Sequence, residues 1–362
     1  MRLRGYQPSD GAKAIDIAWL LGPGSGVEQE ERILRICIFG AGASGGHFAV
    51  KLARAGHAVS VVARGPHLAA IRSSGLTLKL KDQVLQADVT ATDDPTVLGV
   101  QDAVIVTVKA TGLAAVADRI APLVGPDTVV VFPQNGMSWW YPLNLPSDKP
   151  ALPRLPIFAL AERFLKHMTV SQIAGGIIYS ANEVEAPGVI KNNSPARNRL
   201  DFGPIDGRAP NVFAPLRDAL TGSGLQAPEI ADIRQTVWHK LLITASGSTI
   251  SLATRNKASI SKTDPALGEV YIRIVEELLA VSAAHGYPLK SELEPEKMLQ
   301  GLLDHKPSLL QDYEQGRPME IGEMVLSLTD LARAVNIATP TYGALAAITA
   351  RLAADKGLYS PA

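Results

Sequence analysis

From Arg35 onward, apolar residues fall in short unbroken runs, and these runs alternate with stretches of helical period. Arg35–Phe39 reads as a buried strand, followed by a glycine loop and a helix to about Ala55 that Gly56 stops. Ala58–Ala63 is a β-branched strand, Pro66–Arg72 a helix, and Leu76–Leu80 with Val84–Val89 a hairpin. Ala103–Val108, Leu113–Leu123 and Thr128–Phe132 repeat the order strand, helix, strand. Apolar strands alternating with helices predict a mostly parallel sheet covered on both faces.

The pattern breaks between Gly136 and His167, which is proline-rich and opens with Trp139-Trp140-Tyr141. A helix is expected near Ile157–Lys166, and the aromatic run either borders a cleft or packs internally. Strand-like runs return at Ile173–Ser180, Val189–Lys191 and Leu200–Phe202, then a helix at Val212–Leu220. From about Arg234 the period is helical, including Pro265–Ala284, Pro318–Val335 and Tyr342–Ala353. At 362 residues the chain exceeds the usual size of one core. The expected division is therefore 33–231, an α/β domain, and 232–362, an all-helical domain.

The first helix of the second part is mostly apolar, yet at about 100° per residue it places Lys240, Thr244, Ser248 and Ser251 within one arc. Such a stripe is either a solvent-facing seam or one ammonium aligned with three hydroxyls for chemistry.

Composition narrows the choices. Apolar residues make up 46% and charged residues 19%, and 35 basic residues balance 35 acidic ones. A net charge of zero argues against general affinity for nucleic acid or anionic membrane. Cys37, the single cysteine, lies inside Ile36–Phe39 and is expected in the core; no histidine pair has ligand spacing, so no metal site is expected. Residues 1–32 faintly resemble a signal peptide, but Asp16 interrupts the apolar run and no small-residue cleavage site follows. They are read as a poorly ordered extension of a cytoplasmic protein, a monomer or homodimer with no membrane span.

The loop Gly40-Ala41-Gly42-Ala43-Ser44-Gly45 is G-x-G-x-x-G between a strand and a helix. Its glycines permit a tight turn and let the backbone approach a pyrophosphate at the helix N-terminus, the signature of a Rossmann-type dinucleotide domain. The second strand ends in Arg64 where NAD-binding chains usually carry an acid. Arginine there suits a 2′-phosphate, so NADP(H) is the expected cofactor. Lys109 and Asn135 follow two further strands, at the edge where open α/β sheets bind ligands. A solvated lysine and an Asn-Gly turn are the plain readings of these two.

Phe39–Gly46, Val62-Ala63-Arg64-Gly65 with His67-Leu68 and Ile71, and Pro133-Gln134-Asn135-Gly136 resemble the ketopantoate reductase family. So do Pro187-Gly188, Trp238 with Lys240, Ser308 with Leu310-Gln311-Asp312, and Glu320. The resemblance spans about Ile33 to Ala353. It implies NADP-dependent reduction of a 2-keto acid, ketopantoate to pantoate, in a cleft between a Rossmann and a helical domain. By the same resemblance, Lys240 is the proton donor and Glu320 is held near it, also contacting the cofactor. Ala181 joins the cofactor contacts, Asn135 touches cofactor and substrate, and Ser308 takes the substrate carboxylate. Where relatives carry asparagines four and eight residues after the lysine, this chain has Thr244 and Ser248. Hydroxyls lack the reach and the two-donor head of an amide, which leaves a different or bulkier 2-keto acid open. A non-catalytic NADPH sensor is the alternative from another class.

Overall fold

In the computed structural model, residues 32–360 except Pro195 are described. The sheet-forming part comprises β1 (Arg35–Phe39), α1 (Ala43–Arg54), β2 (Ala58–Val62), α2 (Gly65–Ser74), β3 (Leu76–Lys79), β4 (Val84–Ala87), β5 (Thr90–Thr92) and β6 (Ala103–Val106). It continues with α3 (Leu113–Ala117), β7 (Val129–Phe132), α4 (Leu160–Phe164), β8 (Ile173–Tyr179), β9 (Asn182–Ala186), β10 (Val189–Asn192), β11 (Arg199–Pro204) and α5 (Ala214–Gly222). The remainder is helical: α6 (Ile233–Thr254), α7 (Ile260–Thr263), α8 (Pro265–Ala284), α9 (Pro295–Gln300), α10 (Ser308–Glu314), α11 (Ser327–Ala334) and α12 (Pro340–Asp355).

Among the described residues, seven strands form one sheet in the order β11-β8-β7-β6-β1-β2-β5, parallel except for β11 against β8. Side chains alternate across it. Ile36, Ile38, Ala103 and Ile105 enter one core; Cys37, Phe39, Val104 and Val106 enter the other. Both faces are thus buried, which is why the strands read as unbroken apolar runs. Cys37 is fully buried, and burial pushes its thiol up to about 12. The core containing Cys37 continues into α6 and α8 through Trp238, Leu241 and Ile274. Leu34–Ala362 accordingly forms one compact unit, and the change from sheet to helices at residue 232 falls inside it. The reading of residues 1–32 as an extension lies outside the described residues, Arg32 apart. No helix among the described residues is long and apolar enough to cross a membrane.

Three elements depart from expectation. The helix expected over Leu113–Leu123 ends at Ala117, because Pro122, in a 3₁₀ turn, cannot continue an α-helix. Pro318–Glu320 lies outside any helix or strand, and the π-helical turn Gly322–Leu326 comes before α11. A second sheet, β4-β3-β10-β9, includes β9, whose mostly exposed residues carry no apolar alternation.

Candidate active site

The parallel strands β1, β2, β6, β7 and β8 are in register, so the residues that follow them gather at one sheet edge. This edge carries Gly40, Arg64, Lys109, Asn135 and Ala181. Gly40 has φ +106°, and a Cβ there would stand 2.8 Å from Val108 Cγ2. A Cβ on Gly45 would collide with Gly40 O and Thr107 Oγ1. Gly42, at the N-cap of α1, has open space instead, and Ala43 and Ser44 beyond it are partly exposed. No side chain caps this helix and its first turn holds no acid, so its positive end is available to an anion.

Ala41 is buried, and its carbonyl accepts from His67 Nε2–H at 2.7 Å while His67 Nδ1 accepts from Gly188 N–H at 3.0 Å. The imidazole therefore carries its proton on Nε2. Because carbonyl and N–H of a trans peptide point opposite ways, holding the Ala41 carbonyl turns the Gly42 N–H away from His67. Arg64 is exposed, and its guanidinium has no partner among the described residues. Asn135 is half-buried with its amide likewise unpartnered, whereas the neighbouring Gln134 amide donates to Val106 O and Val108 O at 2.6 and 3.2 Å. Ala181 spends its backbone locally: its N–H donates to Ser194 Oγ and its carbonyl accepts from Asn193 N–H, both at 2.7 Å. An open glycine cradle, an uncapped helix end, an unpaired arginine and a free amide together fit a dinucleotide.

Across from this edge, α6 starts at Asp232, whose carboxylate accepts from Arg234 N–H and Gln235 N–H at 2.9 and 3.2 Å. Asp/Asn at an N-cap satisfies donors that the helix itself leaves orphaned. Buried Arg234 then donates to the carbonyls of Tyr141, Leu143 and Ile205, and Trp238 Nε1–H donates to Tyr141 Oη at 2.7 Å. These bonds fix α6 against the aromatic segment after β7. Lys240 Nζ lies 4.6 Å from the centroid of the Tyr179 ring, on its face. Burial lowers the Lys240 pKa to about 8; the Arg197 charge pushes the same way and Asp201 opposes it.

The family assignment follows from the two halves together. Residues 36–142 match ketopantoate reductase PanE/ApbA, and residues 232–353 match its C-terminal part. The chain belongs to the ketopantoate reductase family. A 2-dehydropantoate 2-reductase of Mesorhizobium japonicum is 35% identical over 331 residues, 90% of this chain and 100% of that protein. A solved candidate ketopantoate reductase from Ralstonia solanacearum is 32% identical, with TM-score 0.81 over 91% of this chain and 100% of its own. D-mandelate dehydrogenase, solved with NADH and anilino(oxo)acetate, shares the fold at 19% identity, with TM-score 0.75 over 90% of this chain and 100% of its own. As a member of this family, the protein is an oxidoreductase.

Within this ketopantoate reductase fold, several expected site residues are arranged differently from the sequence reading. Glu320 is not paired with Lys240: its carboxylate is buried and accepts from Ala110 N–H at 2.8 Å. Its charged neighbours are Lys109, Glu323 and Asp312, and burial pushes its pKa up to about 7. Glu320 stands in the irregular stretch just before the π-helical turn, and Asp201 is the carboxylate that Lys240 senses. Lys109 is not a free cation either; it pairs with buried Asp312 at 2.6 Å, which Arg317 also holds at 2.8 Å. Thr244 Oγ1 donates back to Lys240 O within the helix, and Ser248 and Ser251 are buried, the Ser251 hydroxyl without a partner. Ser308 is exposed at the start of α10. Trp139, Trp140 and Tyr141 are at most 1% exposed, which settles that run as packing. Sequence reasoning missed Tyr179 and gave His67 no task; only the family pattern around His67 could have drawn attention to it.

Proposed function

We propose that this protein reduces the C2 ketone of 2-dehydropantoate (ketopantoate) to pantoate with NADPH, as a cytoplasmic enzyme of pantothenate biosynthesis. The observation that carries this reading is Lys240, an ammonium on the face of Tyr179 whose pKa of about 8 keeps it protonated at neutral pH yet ready to give up its proton. When bound, the reduced nicotinamide supplies the hydride that adds to the ketone carbon. Lys240 Nζ donates its proton to the ketone oxygen as negative charge grows there, and solvent reprotonates the amine. The glycine loop, residues 40 to 45, and the α1 N-terminus hold the pyrophosphate, and Arg64 holds the 2′-phosphate. Asn135 orients the carboxamide or the ketone, and Ser308 contacts the substrate carboxylate. Residues 33–231 thus serve the cofactor and residues 232–362 the substrate.

The test is NADPH oxidation against a panel of 2-keto acids. Ketopantoate should give the highest kcat/KM, and turnover of none of the panel would overturn the reading. Lys240→Ala should lower kcat by about 10²–10⁴-fold with cofactor affinity preserved. Arg64→Asp should weaken NADPH far more than NADH; equal effects remove the cofactor preference. A second reading, another 2-keto acid with an apolar side chain, is favoured by one observation: the Thr244 hydroxyl is already bonded to Lys240 O. In that case a different member of the panel outruns ketopantoate.

A further inference from the structure

The glycine loop is held from behind by its own carbonyls. Gly40 O accepts from Thr107 Oγ1–H at 2.5 Å, and Ala41 O accepts from His67 Nε2–H at 2.7 Å. The Gly42 N–H, by contrast, donates to nothing among the described residues. His67 is itself held by the second sheet. Its Nδ1 accepts from Gly188 N–H at 3.0 Å, in the turn between β9 and β10, and Gly188 O accepts from Thr77 N–H of β3 at 2.9 Å. Gly188 has φ +76°, and a Cβ there would stand 3.2 Å from Ala70 Cβ, so the turn lies close against α2. Ile190 of β10 reaches the start of α1, since a Cβ on Gly46 would lie 2.6 Å from Ile190 Cγ1. A staple between α2 and this turn needs only the bond to Gly188; the bond to Ala41 O acts on the loop.

Gly42 shows what that second bond can do. Lacking a Cβ, it leaves open space for a pyrophosphate, but it also tolerates either sign of φ. Its φ is −65°, and turning the Ala41–Gly42 peptide over would carry it to positive φ at little steric cost. That rotation would put the Ala41 carbonyl where the Gly42 N–H had been, exchanging a donor for an acceptor that repels phosphate oxygen. It would also break the bond to His67.

We propose that His67 is a positioning residue for the dinucleotide: by clamping the Ala41 carbonyl it keeps the Gly42 N–H available to the pyrophosphate. The Gly188 N–H, by occupying Nδ1, keeps the imidazole proton on the nitrogen that faces the loop. This rests on the reading of residues 40 to 45 as a pyrophosphate cradle and adds the residue that sets the cradle's polarity. It also gives the Pro187-Gly188 turn a task. Arg64 stands at the N-cap of the helix that carries His67. One helix start thus presents a guanidinium for a 2′-phosphate and an imidazole that acts on the pyrophosphate through the loop.

The test is calorimetric titration of NADPH and of NADH into the wild type, His67→Leu and His67→Gln. Leucine fills the space without a hydrogen bond, whereas a carboxamide offers a donor and an acceptor, as the neutral imidazole does. His67→Leu should raise both Kd values about tenfold, the effect of losing one hydrogen bond. Both dinucleotides carry the pyrophosphate, so the ratio of the two Kd values should stay within about twofold. His67→Gln should return each to within about threefold of the wild type. In a Gly42→Ala background the Cβ already opposes the rotation, so there His67→Leu should cost less than about threefold. Unchanged Kd values in His67→Leu would overturn the proposal, as would a shifted ratio, which marks a disturbed Arg64. So would a lack of recovery in His67→Gln, or the full tenfold loss in the Gly42→Ala background. A wild type that binds neither dinucleotide would refute the reading of the loop as a cradle, and the task of His67 with it.

Discussion

Lys240 serves as a proton donor only while it holds its proton, and burial brings the end of that range down to about 8. Below that pH the ammonium predominates; above it the neutral amine has nothing to give. Ketone reduction should therefore fall by about tenfold per pH unit above its pKa, a decline that a pH–rate profile of kcat/KM reads directly. Glu320 argues the other way round. Its folded pKa of about 7 lies above the ordinary value of 4.5, so the folded state holds a proton that the unfolded state has released. Stability falls as pH rises from 4.5 to 7 and stays lowered beyond, by about 3 kcal/mol at most. Glu320→Gln keeps an acceptor for Ala110 N–H and removes that penalty, so its gain in melting temperature over the wild type should be larger at pH 8 than at pH 5. Lys240, Arg64 and Asn135 stood out in the sequence because motif and position mark them. Tyr179 and Arg199 did not: antiparallel pairing of β8 with β11 sets them opposite each other, and no local pattern twenty residues apart encodes that pairing.

Among the elements, the glycine loop separates two jobs that look alike in sequence. Gly45 is needed for packing, since any Cβ meets Gly40 O and Thr107 Oγ1; Gly42 faces open space at an ordinary φ of −65°. Gly42→Ala should melt like the wild type but bind NADPH more weakly, whereas Gly45→Ala should lower the melting temperature by several degrees, both measurable in one thermal-shift titration. The strand, loop, helix order was legible because buried parallel strands and a helix opened by glycines leave strong periodic signals. The early end of α3 was signalled by Pro122, but the π-helical turn was not, because it inserts into an otherwise regular helical period. That turn matters for the site, as it closely follows Glu320, whose carboxylate accepts from Ala110 N–H.

In the whole molecule, the sheet and the helical part share one hydrophobic core, and at the sheet edge polar contacts join them as well: Lys109 with Asp312, Ala110 with Glu320, and Met137 N–H with Glu323 O at 2.9 Å. Gly136 stands at the last of these with φ +81°, and a Cβ would lie 2.6 Å from Glu323 O. Gly136→Ala should cost more than about 1 kcal/mol in urea unfolding and weaken cofactor binding through the adjacent Asn135. An unchanged unfolding midpoint would show that this contact does not hold the parts together. The same core has an optical consequence. Trp139, Trp140 and Trp238 are fully buried, with Trp238 stacked on His285 two residues before Lys240. Sealed from water, they should emit at short wavelength and resist ionic quenchers, and a reduced nicotinamide in the cleft absorbs where they emit. Energy passed from indole to dihydronicotinamide would report cofactor loading on the unlabelled protein, and hydride transfer would switch that signal off turnover by turnover.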